Sequence, residues 1–436
     1  MFRFSMIRLI RTSSHKLDRE LRNKIADLYR PFRWVPCFLH KWAESLIKRV
    51  KKYPVIIEFE NGEDAYQKGM QDVHTCVNRH FRCGMKFEHQ TIFCCSATLS
   101  AKALEHLLTH SSHIKRVYLD REVKALLDTA VPTIHADLLH KSGYTGKGVT
   151  IAIIDTGIAL HQDLVRPTNR IVAFKDFIQN RTSPYDDNGH GTHCAGDAAG
   201  NGYLSNGKYR GPAYEANVVG VKVLDSEGSG SLSTVIAGVE WCIANKTRYN
   251  IKILSLSLGS PATQSYTTDP LVKAVEAAWK QGMVVCAAAG NEGPYARTIS
   301  TPGISPQVIT VGAISDRNTT IRTDDEMADF SSRGPTIDGL VKPDLVCPGV
   351  NIVSLRSPNS YLDRTQKSSR VGQHYFIMSG TSMATPICAG VVAQLLQKSP
   401  VLTPNQVKYL LLNSAVDLGL PPHTQGKGCL DVEKLL

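Results

Sequence analysis

The sequence predicts an α/β protein, a mainly parallel sheet with helices on both faces, preceded by a small α+β domain. Three observations predict it. Short runs dominated by apolar and β-branched residues occur at 148–154, 217–224, 251–258, 283–289 and 308–314, without the alternation of a half-solvated strand. Such runs form strands buried on both faces. Segments with helical periodicity, 233–246 and 269–281, fall between them, and strand–helix alternation builds parallel sheets. Residues 55–119 read as strand, helix, an extended run, helix and strand, taken as a compact β-α-β-β-α-β unit.

In chain order, residues 1–52 form a basic amphipathic extension. They hold 14 Lys and Arg against 4 Asp and Glu, which accounts for +10 of the chain's net +11. Leu17, Leu21, Ile25 and Leu28 recur at helical spacing before Pro31, and Trp42, Leu46, Ile47 and Val50 do so before Pro54. Two readings stay open: an arm for a membrane surface or nucleic acid, or two helices packed on the rest of the chain with a solvated basic face. Residues 53–125 form the α+β domain. Val55–Phe59 reads as a strand, Glu63–Arg79 as a helix, Met85–Cys95 as extended, Ser100–Leu108 as a helix capped by Ser100, and Ile114–Leu119 as a strand. Residues 131–436 form the large α/β domain.

Three segments of the large domain join reactive side chains to the backbone their chemistry needs. The run Gly148–Ile154 delivers Asp155-Thr156-Gly157 at its carboxyl end, where open α/β sheets place their sites. Asn188–Gly196 surrounds His190 with small residues, the composition of a loop turning tightly into a helix. In Ser379–Pro386, Ser382 stands at the start of a helix-like run, where unpaired N–H groups and the positive dipole end stabilise negative charge. Gly380 leaves room for a substrate, and Pro386 is expected in the first turn, where its missing N–H costs little. Each residue has a plainer reading: Asp155 and Asn291 as turn formers, Ser382 as a helix cap, His190 as a buried hydrogen-bonded ring. His190 and His193 could form a metal pair, but no glutamate lies between them and no third ligand follows at metalloprotease spacing, which argues against zinc.

Together, Asp155-Thr156-Gly157, His190-Gly191-Thr192-His193 and Gly380-Thr381-Ser382-Met383-Ala384-Thr385-Pro386 resemble the three catalytic signatures of the subtilisin-like serine proteases, the subtilases, in that family's order. Ala287-Ala288-Ala289-Gly290-Asn291-Glu292-Gly293 resembles the segment that carries the family's oxyanion-hole asparagine. The resemblance is to the bacterial members without a secretory signal. It implies a subtilisin-like fold and a serine endopeptidase: His190 takes the Ser382 proton, Asp155 holds the imidazole, and Asn291 with the Ser382 N–H binds the oxyanion.

The resemblance also implies substrate walls at Ser257, Leu258 and Gly259 on one side and at Gly228 and Gly230 on the other, with the peptide bound as an added strand and specificity broad. A side-chain pocket is implied near Gly290, Glu292 and Ser300, with Glu292 either selecting a basic side chain or standing as a solvated rim charge. Residues 53–125 would be a propeptide that assists folding and fills the cleft until a cut between about Asp120 and Ala130. The chemistry requires no cofactor. Subtilases often bind calcium, and Asp163 and Asn201 occupy the comparable region, although Tyr203, Lys208 and Arg210 depart from the usual ligand pattern. Expected partners are protein and peptide substrates and the chain's own propeptide-like domain, with weak anionic-surface contact through residues 1–52 and no specific nucleic acid. A pseudoprotease that only binds peptides is the alternative that the intact signatures disfavour.

Composition agrees with an ordinary soluble enzyme: 436 residues, 42% hydrophobic and 20% charged. No stretch is long enough to span a membrane. Arg8 and Arg11 interrupt the first residues, which lack the apolar core of a secretory signal. Eleven cysteines, an odd number without a Cys-x-x-Cys pair, read as buried thiols of a reducing compartment. A cytoplasmic location is therefore expected. Cys194 lies close enough to His190 for a mercurial bound there to displace the ring, and Asp324–Glu326 reads as a solvated acidic loop.

Overall fold

A computed structural model describes residues 4–29, 44, 47–48, 51–60, 62–80, 82–89, 93–119 and 127–435. Trp42, Leu46 and Val50 of the second amphipathic run, Cys37 and most of the expected cut between Asp120 and Ala130 lie outside the described residues. The chain forms two compact units, Met1–Val123 and Lys124–Leu436.

In the first unit, strands β1 (Lys52–Phe59), β2 (Gly84–His89), β3 (Cys94–Ser100) and β4 (Ile114–Leu119) form an antiparallel sheet in the order β2-β3-β1-β4. The run Met85–Cys95, expected as one extended segment, belongs to two paired strands. Helices Glu63–Arg79 and Ala101–His110 complete the β-α-β-β-α-β order, and Ser100 caps the second by accepting the Ala103 N–H. Burial alternates along β1, and its inward Tyr53, Val55, Ile57 and Phe59 pack with Val73, Leu104 and Leu107 of the helices. The described helices of residues 1–52 do not stand as a separate extension. Helices Ser5–Thr12 and Arg19–Tyr29 belong to the same unit, and Met6, Leu17, Leu21 and Ile25 are buried in the same core. That apolar face is therefore occupied within the protein rather than open to a membrane.

The second unit is built on an eight-stranded sheet. Its strands include β5 (Thr150–Asp155), β6 (Ile171–Asp176), β7 (Asn217–Lys222) and β8 (Ile251–Leu256). A short strand, β9 (Ser260–Pro261), lies outside this sheet, which continues with β10 (Val284–Ala288). Another short strand, β11 (Ser300–Thr301), pairs with β9, and the main sheet adds β12 (Ile309–Ser315), β13 (Glu326–Met327) and β14 (Leu345–Pro348). The order is β13-β12-β10-β8-β5-β7-β6, with β14 also on β12, and every pair except β12–β13 is parallel. Helices His190–Ala199 and Thr381–Lys398 pack on each other and against β5, β8 and β10; Leu232–Asn245 and Pro270–Lys280 pack on each other and against β5 and β10. The chain departs from β5 toward β7 on one side and β8 on the other, so β5 ends at the crevice where the strand order reverses.

Candidate active site

Asp155 is the last residue of β5 and fully buried. Its Oδ1 accepts both the Thr156 N–H and His190 Nδ1, each at 2.7 Å. An oxygen engaged this way fixes the tautomer: Nδ1 carries the proton and Nε2 keeps its lone pair. His190 opens the helix His190–Ala199, and its side chain is 18% exposed. Burial works against protonation of the ring, but the Asp155 carboxylate outweighs it and holds the imidazole well above its ordinary pKa.

Ser382 is the second residue of helix Thr381–Lys398. Pro386 is the sixth, so the expectation that its missing N–H falls in the first turn is wrong: a helix would have used that N–H for the Ser382 carbonyl. The orphaned oxygen instead accepts the Ser257 hydroxyl at 2.7 Å and the Cys194 thiol at 3.4 Å. Ser382 Oγ in turn donates to the Ser257 carbonyl at 3.1 Å. Proline thus creates an acceptor that pins the serine's backbone from two other segments.

Asn291 follows β10. Its Oδ1 accepts the Thr381 N–H at 2.9 Å and the Thr381 hydroxyl at 3.0 Å, which leaves the NH2 group as a donor. A Cβ on Gly380 would lie 3.5 Å from Asn291 Nδ2 and 3.6 Å from the Ser382 N. The space beside Gly380 is therefore bordered by two N–H donors at the start of a helix, a setting that favours an anionic oxygen.

His190 lines a cleft of about 520 Å³ together with Gly228, Gly230, Ser257, Leu258 and Gly259. The residues expected to form the two substrate walls thus share one cleft. Gly230 needs its missing side chain, since a Cβ there would meet the Val223 carbonyl oxygen at 2.5 Å. Gly290 and Glu292 lie apart from this lining. Gly290 has φ +110° and faces Ser300 and Ser332, and Glu292 is turned onto the Asn291 N–H (2.9 Å).

Residues 146–428 match the model of the subtilase family. The chain is 52% identical over 445 residues to serine protease AprX of Bacillus subtilis (strain 168), covering 99% of each chain. It is 35% identical over 344 residues to subtilisin E of the same organism, covering 78% of this chain and 79% of that one. The crystal structure of a cold adapted subtilisin-like serine proteinase matches with a TM-score of 0.50 and 33% identity, over 66% of this chain and 88% of that chain. This chain is a subtilase. It is a subtilisin-like serine endopeptidase with the α/β fold of that family.

Two residues that sequence reasoning passed over hold the subtilase site together. Asp186 is buried and accepts from Thr156 Oγ1, the Asn188, Gly189 and Thr192 N–H groups and the Thr192 hydroxyl, at 2.6–3.1 Å. It joins the Asp155 turn to the start of the His190 helix, although burial pushes its carboxyl up against the pull of these bonds. Its trace in the sequence is Asp186-Asp187-Asn188-Gly189 just before a helix, a capping composition. Lys222 pairs in register with Asp155, is fully buried, and donates to the Thr156 and Leu224 carbonyls (2.6 and 2.9 Å) and to Asp187 (2.7 Å). A lysine inside the apolar run of β7 was its trace.

The region comparable to the subtilase calcium region, which departs from the usual ligand pattern, has its oxygens engaged within the protein. Asp163 Oδ1 accepts the Leu204 N–H at 3.0 Å and Oδ2 accepts the Tyr375 hydroxyl at 2.8 Å. The Arg170 guanidinium donates to the carbonyls of Ala199 (2.7 Å), Ala216 (2.9 Å) and Asp163 (2.5 Å). Asn201 spends its side chain on the Arg166 carbonyl and the Tyr203 N–H, while its carbonyl accepts from Arg210. The oxygen donors a hard cation needs are engaged by protein donors, and an internal guanidinium supplies the positive charge. His193 is likewise structural: fully buried, with Nδ1 on Asp197 at 2.9 Å and Nε2 against the Ile352 and Phe376 carbonyls. In the Asp324–Glu326 loop, Glu326 pairs with Arg317 and Asp324 accepts the Thr319 hydroxyl.

Proposed function

We propose that this subtilase is an endopeptidase of broad specificity made as a self-inhibited precursor. Ser382 Oγ attacks the scissile carbonyl while His190 Nε2 takes its proton, and the imidazolium later donates that proton to the leaving amine. Asp155 holds the ring in the productive tautomer and stabilises its charge. The tetrahedral oxyanion sits beside Gly380, bound by Asn291 Nδ2 and the Ser382 N–H. The observation that carries the reading is the 2.7 Å bond from His190 Nδ1 to buried Asp155, beside the two-donor space at Gly380. Ser382 Oγ rests on the Ser257 carbonyl and gives up that bond when it engages His190; such catalytic bonds form or tighten when substrate binds.

Broad specificity is supported by a cleft lined with glycine backbone at 228, 230 and 259, because main-chain hydrogen bonds do not read side chains. The precursor reading is supported by the β-α-β-β-α-β order of the first unit, which by the family resemblance would act as propeptide. A reducing, cytoplasmic setting is supported by the absence of any disulfide among the described residues, nine of whose ten cysteines are buried. Exposed Arg8, Arg11 and Lys24 would give residues 1–52 weak contact with anionic surfaces. The test is hydrolysis of an unstructured protein by the purified chain and by Ser382→Ala, with the intact mass of both. Activity and loss of the N-terminal segment in the wild type alone are expected. Activity with both masses intact would make the first unit permanent and overturn the precursor reading.

A further inference from the structure

Cys76 and His80 stand four residues apart at the carboxyl end of helix Glu63–Arg79, and His106 and His110 stand four apart on helix Ala101–His110. His106 and His110 so spaced share a helix face, His80 caps its helix with extended backbone, and these two helices pack on each other. Cys76 Sγ and one ring nitrogen each of His80 and His106 lie within 4.8 Å of one another. The His106 ring centroid is 5.7 Å from that of His80 and 4.4 Å from that of His110, on which it stacks. Cys76 is 1% exposed and donates its S–H to the Ala103 carbonyl at 3.4 Å.

We propose that Cys76, His80 and His106 bind a divalent transition metal ion of the zinc class, with the fourth position open to His110 or water. A thiolate with two imidazoles selects zinc or cobalt over calcium or magnesium. Metal–ligand bonds of roughly 2.0–2.3 Å set ligand atoms about 3.3–3.7 Å apart, so side-chain rotation of about 1 Å closes the site. Binding exchanges the Cys76 S–H for a sulfur–metal bond and releases one proton to solvent. The thiolate is essential to charge balance, because Arg79 and Lys102 lie near enough to act on the His80 ring. The bound ion would tie the two helices over the sheet and stabilise the first unit. Among the described residues, two other groups of metal-ligating side chains do not compete: Asp155, His190 and Cys194 belong to the catalytic cleft, and in the trio His135, Asp431 and Glu433 the Asp431 carboxylate pairs with Arg322 at 3.1 Å.

The test uses the full chain carrying Ser382→Ala, so that it stays intact, stripped with a chelator and titrated with cobalt(II). A thiolate-to-cobalt charge-transfer band saturating at one equivalent is expected, absent in Cys76→Ser and with affinity weakened about tenfold or more in His106→Ala. Zinc should raise the melting temperature of the parent and not of Cys76→Ser. A further weakening in His110→Ala would identify the fourth ligand, and its absence would assign that position to water. No band, or a band of undiminished affinity in Cys76→Ser, would overturn the site. If Cys76→Ser does not fold, the part-exposed His80→Ala and His106→Ala decide it, and unchanged affinity in both rejects the proposal.

Discussion

Two buried aspartates eight residues apart, Asp155 and Asp163, show how the same unit builds reactivity in one corner and only cohesion in the other. Both are fully buried beside a basic partner. The Asp155–His190 pair passes its polarity outward, to a ring nitrogen that faces the cleft. At Asp163 both carboxylate oxygens and the backbone carbonyl are taken by Leu204, Tyr375 and Arg170, so the network closes on itself. Burial and charge are shared by the two corners. The difference is one hydrogen-bond position left for a substrate.

The sharpest way to break this comparison is to alter the open corner. Asp155→Asn keeps the shape but lets the ring take the other tautomer, and kcat should fall about 10⁴-fold. The pH profile carries a second readout. His190 acts as a base only when neutral, and Asp155 raises its pKa, so kcat/KM should fall as pH drops through that raised value. In Asp155→Asn the acid limb should move to lower pH. A limb that stays in place would show that another group sets it.

Next in size is Asn291→Ala, which removes one of the two donors beside Gly380. A fall in kcat of roughly 10²–10³-fold with little change in KM is expected, a magnitude that comes from subtilisin itself. Unchanged kcat in steady-state peptide hydrolysis would remove Asn291 from the oxyanion site.

The open corner was also the legible one. Asp155, His190, Asn291 and Ser382 stand in short blocks whose neighbours are fixed by local backbone needs, such as the strand end before Asp155 and the helix start after Gly380. The long helix Glu63–Arg79 was legible because its buried Tyr66, Met70, Val73 and Cys76 recur at helical spacing. Arg170, Asp186 and Lys222 were not, since their partners are mostly backbone groups, several of them far along the chain. Arg170 reaches carbonyls at 163, 199 and 216, a pattern without periodicity. Pro386 was misplaced because helix onset was read from composition, whereas the helix already starts at Thr381, five residues before it.

The closed corner gives the third prediction. Arg170→Ala would leave the Ala199 and Ala216 carbonyls without their donor, while the Asp163 carbonyl keeps the Asn201 N–H at 3.2 Å; at about 1–3 kcal/mol for each group that water cannot reach, a loss of roughly 2 kcal/mol or more in denaturant unfolding is expected. A chelator should leave the wild-type stability contributed by this corner unchanged, because a guanidinium stands where a cation would be needed. Marked destabilisation of Ser382→Ala by chelator that persists when Cys76 is also replaced would show that a hard cation does bind the large unit.

The smallest effect tests whether position beside the open corner is enough for reactivity. Cys194 Sγ lies 3.8 Å from His190 Nδ1, yet it is fully buried, and burial pushes its thiol up to about 12. Only the thiolate reacts readily, and at neutral pH almost none is present. Inhibition by a mercurial should therefore be slow and partial, developing in step with labelling of Cys194 rather than on mixing. Cys194→Ala should lose that sensitivity at a cost of about 1 kcal/mol in stability, because the Ser382 carbonyl keeps its bond from Ser257. Rapid inhibition of the wild type would mean that the helix start opens far more often than its closed packing implies. Equal inhibition of both proteins would place the reactive thiol elsewhere, and Cys194 would then act only as a second donor to the carbonyl that Pro386 leaves unpaired.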